Sequence, residues 1–116
     1  MATKDLTWYL SSPKRAYHYA RDVIEGRWPE GEALIVQDVY YAYLYAYAII
    51  KDRFPKGEAV IAQNLHYAYR YARWVIEDRW KEVESTIIDS EYASFYYDEF
   101  KDRFTDEEKV LWLLKI

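Results

Sequence analysis

The chain has no cysteine, and its 116 residues include only three glycines, three prolines and one methionine. Without cysteine there is no disulfide framework and no thiolate for a metal or a nucleophile, which leaves the redox compartment open. The glycines are too few and too scattered for a phosphate-cradling loop, and neither His-Glu-x-x-His nor Gly-x-Ser-x-Gly occurs. The two histidines, His18 and His66, lie in different repeats and lack the companion ligands that a metal site needs. These absences predict a protein that is not an enzyme, with no catalytic residue, cofactor site or metal site. No apolar run approaches the roughly 20 residues that span a bilayer. The opening Met1-Ala2-Thr3-Lys4-Asp5-Leu6 also lacks the apolar core of a signal peptide. The expectation is a soluble, cytoplasmic chain with no membrane partner.

What is present is aromatic and repetitive. Tyrosine occurs 14 times, aromatics make up 20% and apolar residues 52%, enough to fold despite 31% charged residues. The length suits one domain, 1–116. A unit of 26 residues recurs at 12–37, 38–63 and 64–89, then in degenerate form at 90–116. Three copies carry Ala16-Tyr17-His18-Tyr19-Ala20, Ala42-Tyr43-Leu44-Tyr45-Ala46 and Ala68-Tyr69-Arg70-Tyr71-Ala72. All four reach an Arg-aromatic pair: Arg27-Trp28, Arg53-Phe54, Arg79-Trp80 and Arg103-Phe104. Fixed-period similarity means an array in which neighbouring units complete each other's core. The predicted fold is all-α: stacked helix-turn-helix repeats of 26 residues, a compact α-solenoid of about nine helices.

Each unit opens on a residue suited to cap a helix: Ser12, Asp38, Asn64 and Ser90. Pro13 fits the first helical position. A helix of about 15 residues should end near Gly26, Asp52, Asp78 and Asp102, with Gly31 and Gly57 marking the turn. A second helix of roughly 8 residues should start at Glu32, Glu58 and Glu84. Shifting by 26 aligns Trp8-Tyr9-Leu10 with Leu34-Ile35-Val36, so residues 1–11, with a helix from Thr3 to Ser11, read as an N-terminal cap. Thr105 and Glu108 read as a capping box for the last helix.

In the long helices the alanine pairs form a close-approach strip that should continue through Val23, Ile49 and Val75. Tyr17, Tyr43 and Tyr69, with Ile24, Ile50 and Ile76, form the ridge beside it. Tyr19, Tyr45 and Tyr71 should pack by the ring and offer the hydroxyl to a polar partner. The recurring arginine falls on the same strip near the helix end, where it suits the dipole and should stack on a tyrosine of the next unit as a structural clamp.

Positions that differ between units are free for other work, and they cluster on the outward face. In the second unit that face reads Tyr40, Tyr41, Leu44 and Tyr47; in the third it reads His66, Arg70, Arg73 and Trp74, with Tyr67 alongside. Tyrosine, tryptophan and arginine dominate binding hot spots, and an aromatic patch rimmed by charge marks an interface. These eight residues are the candidate partner-binding set. The same patch could instead drive self-assembly into a homo-oligomer. Residues 1–76 carry a charge of +2 and residues 77–116 a charge of −6, which together make the net −4. The acidic end reads as a solubilising cap or as a surface for a basic partner. With a pI near 5.2, nucleic-acid binding is disfavoured.

The run from Ser12 to Glu32, Ser-Pro-x-x-Ala-Tyr-x-Tyr-Ala-x-x-Val-Ile-x-Gly-Arg-Trp-Pro-Glu-Gly-Glu, resembles the tyrosine-rich short helical repeats of tailed bacteriophage proteins. The likeness covers nearly the whole chain, departing at Lys81-Glu82-Val83 and in the fourth unit. It implies action in the infected bacterial cytoplasm. It further implies a non-enzymatic module that binds and inhibits a host protein or a component of an anti-phage defence such as CRISPR.

Overall fold

In the computed structural model, residues 4–116 are described; Thr3, where the N-terminal cap helix was expected to begin, lies outside them. The helices, in order, are α1 (Leu6–Tyr9), α2 (Pro13–Tyr19), α3 (Pro29–Ile35), α4 (Val39–Leu44), α5 (Pro55–Ala62), α6 (Leu65–Tyr71), α7 (Lys81–Ile87), α8 (Ala93–Phe100) and α9 (Asp106–Lys115). Among the described residues there is no strand. The fold is all-α, built of helix-turn-helix pairs packed on their neighbours. The chain divides into two compact units, one up to residue 61 and one from residue 62.

The caps are set locally. Ser12 accepts from the Arg15 amide at 3.1 Å, Asp38 from those of Tyr40 and Tyr41 at 2.9 and 3.2 Å, and Asn64 from that of Tyr67 at 3.2 Å. Pro13 occupies the first turn of α2. Thr105 and Glu108 form the expected reciprocal box at the start of α9. Ser90 departs from the pattern. Its hydroxyl donates to the Ile87 carbonyl at 2.7 Å and accepts from the Tyr92 amide at 3.1 Å, so it closes a turn, and α8 starts only at Ala93.

In the first unit α2 lies against α1, α3 and α4, and in the second α6 meets α7 and α8 meets α9. The strips Ala16/Ala20, Ala42/Ala46 and Ala68/Ala72 are fully buried, as are or nearly are Tyr17, Tyr43 and Tyr69 beside them. Trp28, Phe54, Trp80 and Phe104, one from each repeat, are all buried.

The long helices end differently from expectation. α2, α4 and α6 each run into a π-helical turn: Ala20–Ile24, Tyr45–Ile50 and Ala72–Ile76. The Ala20 carbonyl accepts from Gly26 at 3.1 Å, that of Ala46 from Lys51 at 2.7 Å, and that of Ala72 from Glu77 at 2.8 Å. The helix then stops on a left-handed residue, Glu25, Lys51 or Glu77, with φ of 59°, 60° and 60°. The ends therefore fall at Ile24, Ile50 and Ile76, short of the expected Gly26, Asp52 and Asp78. A residue inserted into a turn rotates the later side chains by about 100° around the axis. The alanine strip consequently does not continue: Val23 is 54% and Ile24 42% exposed, and Ile49, Ile50, Val75 and Ile76 are half-buried.

The short helices start earlier than expected, with Pro29 and Pro55 as their first residues. Gly31 and Gly57 therefore lie inside helices, not in turns. A Cβ at Gly57 would come within 2.7 Å of the Phe54 ring, and the Trp28 ring lies nearer still to Gly31. With no Cβ at either glycine, the ring can pack close against the helix.

Candidate interaction surfaces

An ionic clamp closes each of the first three repeats. Arg27 lies in the connector beyond the π turn, not on the alanine strip. Its guanidinium forks on Glu32, five residues on, at 2.7 and 3.3 Å. Arg53 does the same to Glu58, both bonds at 2.9 Å, and Arg79 to Glu84 at 2.9 and 2.8 Å. Planar forks of this kind fix geometry as well as charge. Arg27 and Arg79 also lie over aromatic rings of the following repeat, but these are Phe54 (5.8 Å) and Phe104 (4.2 Å), not the tyrosines expected.

The second tyrosine of the following repeat completes the clamp. Tyr45, fully buried, donates its hydroxyl to Glu32 at 2.7 Å and accepts the Trp28 amide at 2.7 Å. Lys56 adds a bond to Glu32 at 3.1 Å. Glu32 is thus 1% exposed with four donors on its two oxygens. Burial alone would raise its pKa, but the bonds from Arg27, Tyr45 and Lys56 outweigh it and hold the carboxylate below the usual range. Tyr45 is pushed up, first by burial and then by the adjacent carboxylate. In the second unit Tyr96 repeats the arrangement, donating to Glu84 and accepting from Trp80 N at 2.8 Å, and burial likewise raises its pKa.

The last arginine breaks the pattern. Arg103 turns from Glu108 to the Asp78 carboxylate and the Glu77 carbonyl, each at 3.0 Å. Glu108 instead meets Arg79 at 3.1 and 2.7 Å, and that bond, with the Thr105 amide, lowers its pKa to about 2. Several carboxylates of the acidic end are therefore already neutralised. From the sequence these glutamates are placed at helix starts and are not paired with the arginines. The legible signal was an arginine followed five residues later by glutamate in all four repeats.

The eight surface candidates fall four in each compact unit, and none is buried. In the first, Tyr40 and Tyr47 are exposed and Tyr41 and Leu44 half-buried. Tyr40 meets Tyr41 edge-on at 4.9 Å, Tyr41 leans on Tyr17 at 5.7 Å, and Tyr47 stacks on Tyr43 at 5.9 Å. Next to them Arg21, Glu25, Ala48, Ile49 and Lys51 line a shallow cleft of about 220 Å³.

In the second unit the four candidates separate. His66 faces the Tyr92 hydroxyl at 3.2 Å and packs its ring on Tyr67 and Tyr92. Arg70 is exposed. Arg73 and Trp74 line a larger cleft, about 350 Å³, with Glu77, Glu99, Phe100 and Arg103. The Arg73 guanidinium lies over the Trp74 ring at 4.6 Å, donates to the Tyr69 hydroxyl at 3.2 Å, and stands 3.7 Å from Glu99. Trp74 is 47% exposed. Glu99, Phe100 and Arg103 come from the irregular fourth repeat, and only packing brings them to this cleft.

Among the described residues no group of three or more His, Cys, Asp or Glu side chains could hold a metal ion, and no helix is long and apolar enough to cross a membrane. Comparison with known proteins finds no family model, no curated protein and no solved structure that matches the chain.

Proposed function

We propose that the protein is a non-enzymatic binding module that recognises another protein through the cleft around Arg73 and Trp74. The observation that carries this reading is the cleft itself. A half-exposed indole lies under a guanidinium, with Arg103 and the carboxylates Glu77 and Glu99 around it. Tryptophan and arginine in a recess are what a hot spot is made of, and mixed charge at the rim selects a polar, oriented partner. The exposed tyrosines Tyr40 and Tyr47 of the first unit supply a second contact surface. The resemblance to tyrosine-rich phage repeats supports a bacterial host or defence protein as the target, met in the bacterial cytoplasm.

The test is an affinity capture from bacterial lysate read by mass spectrometry, with Arg73→Ala, Trp74→Ala and Tyr47→Ala as comparisons. A single host protein captured by the wild type and lost with Arg73→Ala or Trp74→Ala, at unchanged helicity and melting temperature, supports the reading. Capture that survives both cleft variants, or variants that unfold, refutes it.

A further inference from the structure

The last helix carries an apolar face that the described residues leave open. Trp112 is the one buried side chain of α9, stacked on Tyr96 at 5.2 Å and against Phe104 at 5.4 Å. On the opposite side Val110, Leu111, Leu113 and Leu114 are 57–78% exposed. Repetition shows how unusual this is. Leu111 stands seven residues after Phe104, as Ile35, Ile61 and Ile87 stand after Trp28, Phe54 and Trp80. Those three isoleucines are fully buried, whereas Leu111 is 60% exposed. The position that is buried in every earlier repeat is covered here by none of the described residues.

We infer that this face is covered by α9 of a second copy of the chain, the two helices running antiparallel across a two-fold axis. Charge selects that occupant and that direction. The first turn of α9 is acidic, with Asp106 and Glu107 exposed, and its last turn carries Lys115. Antiparallel pairing sets each acidic start beside the other copy's Lys115 and opposes the helix dipoles; parallel pairing sets like charges together. Lys115 now meets Asp89 at 3.1 Å, with both side chains more than half exposed. Such a surface pair is weak and exchanges readily. A two-fold contact also closes on itself, whereas a head-to-tail one would propagate.

The experiment is sedimentation velocity on the full chain over a concentration series. The expected result is a reversible monomer–dimer equilibrium whose dissociation constant rises at least tenfold with Leu111→Asp. Because Leu111 is exposed, circular dichroism at low concentration should be unchanged. Lys115→Glu should weaken the dimer, and combining it with Glu107→Lys should restore it. Trp74→Ala should leave association unaltered, which separates this inference from the cleft. A wild type that stays monomeric, a dimer indifferent to Leu111→Asp, mass that grows without limit, or loss of association with Trp74→Ala would each overturn it.

Discussion

Removing one oxygen, by Tyr45→Phe, tests whether the clamp holds the first unit together. The Tyr45 hydroxyl has two partners, the Trp28 amide and the Glu32 carboxylate, both at 2.7 Å in a buried setting. Its loss leaves the Trp28 N–H unsatisfied, costing about 1–3 kcal/mol, and removes a bond to a charged acceptor worth about 1.5–3 kcal/mol. Phenylalanine recovers part of this, since no hydroxyl need then be desolvated. The expected net destabilisation is about 2–4 kcal/mol, read as a melting temperature lower by roughly 10 °C. Tyr19→Phe is the control. It has the same place in the repeat but packs by its ring, 4.6 Å from Tyr9 and 4.5 Å from Trp28, so about 0.5 kcal/mol or less is expected. The difference should also depend on pH. The Glu32 pKa is lowered in the folded state, so its contribution is complete above the ordinary value of 4.5 and is lost as pH falls through the lower folded value. Wild type loses more than Tyr45→Phe on acidification, and the gap between them should narrow below pH 4.5. Denaturant melts at neutral and acid pH measure both effects. Equal losses for the two tyrosine variants, or a gap that widens in acid, would refute the reasoning.

Two further outcomes concern the backbone. Gly57→Ala should destabilise by about 1–3 kcal/mol through overpacking against Phe54, whereas Gly26→Ala, with nothing within 4 Å of its new Cβ and no positive φ, should be neutral or stabilising by about 0.5 kcal/mol; thermal melts of the two decide it. Replacing the left-handed Glu77 by glycine should stabilise the chain by about 1 kcal/mol, because only glycine adopts φ near 60° without a steric cost; a lower melting temperature would show that the Glu77 side chain matters more than its backbone.

The sequence reads well wherever a residue acts on its immediate neighbours. Ser12, Asp38, Asn64 and Thr105 cap helices through amides two or three residues away, so their chemistry alone placed the starts. Ser90 has the same chemistry but closes a turn with Ile87 and Tyr92, because the repeat around it is shortened. The eight candidate residues come from positions that vary between repeats, and none of them is core. The cleft was not, since Glu99, Phe100 and Arg103 reach Arg73 and Trp74 only through packing.

By itself the sequence determined the all-α class, the order of short and long helices, the buried alanine strips and the capping, because each arises from spacing within one or two turns. Tertiary structure decided three things that no local pattern encodes. The π turns place the left-handed residue at Glu25, Lys51 and Glu77, none of them a glycine, since the connector must deliver Trp28, Phe54 and Trp80 to the core. The hydroxyls of Tyr45 and Tyr96 find their carboxylates only when a later helix docks on an earlier short helix. Leu111 keeps the repeat's apolar pattern, and only the packing shows that none of the described residues covers it.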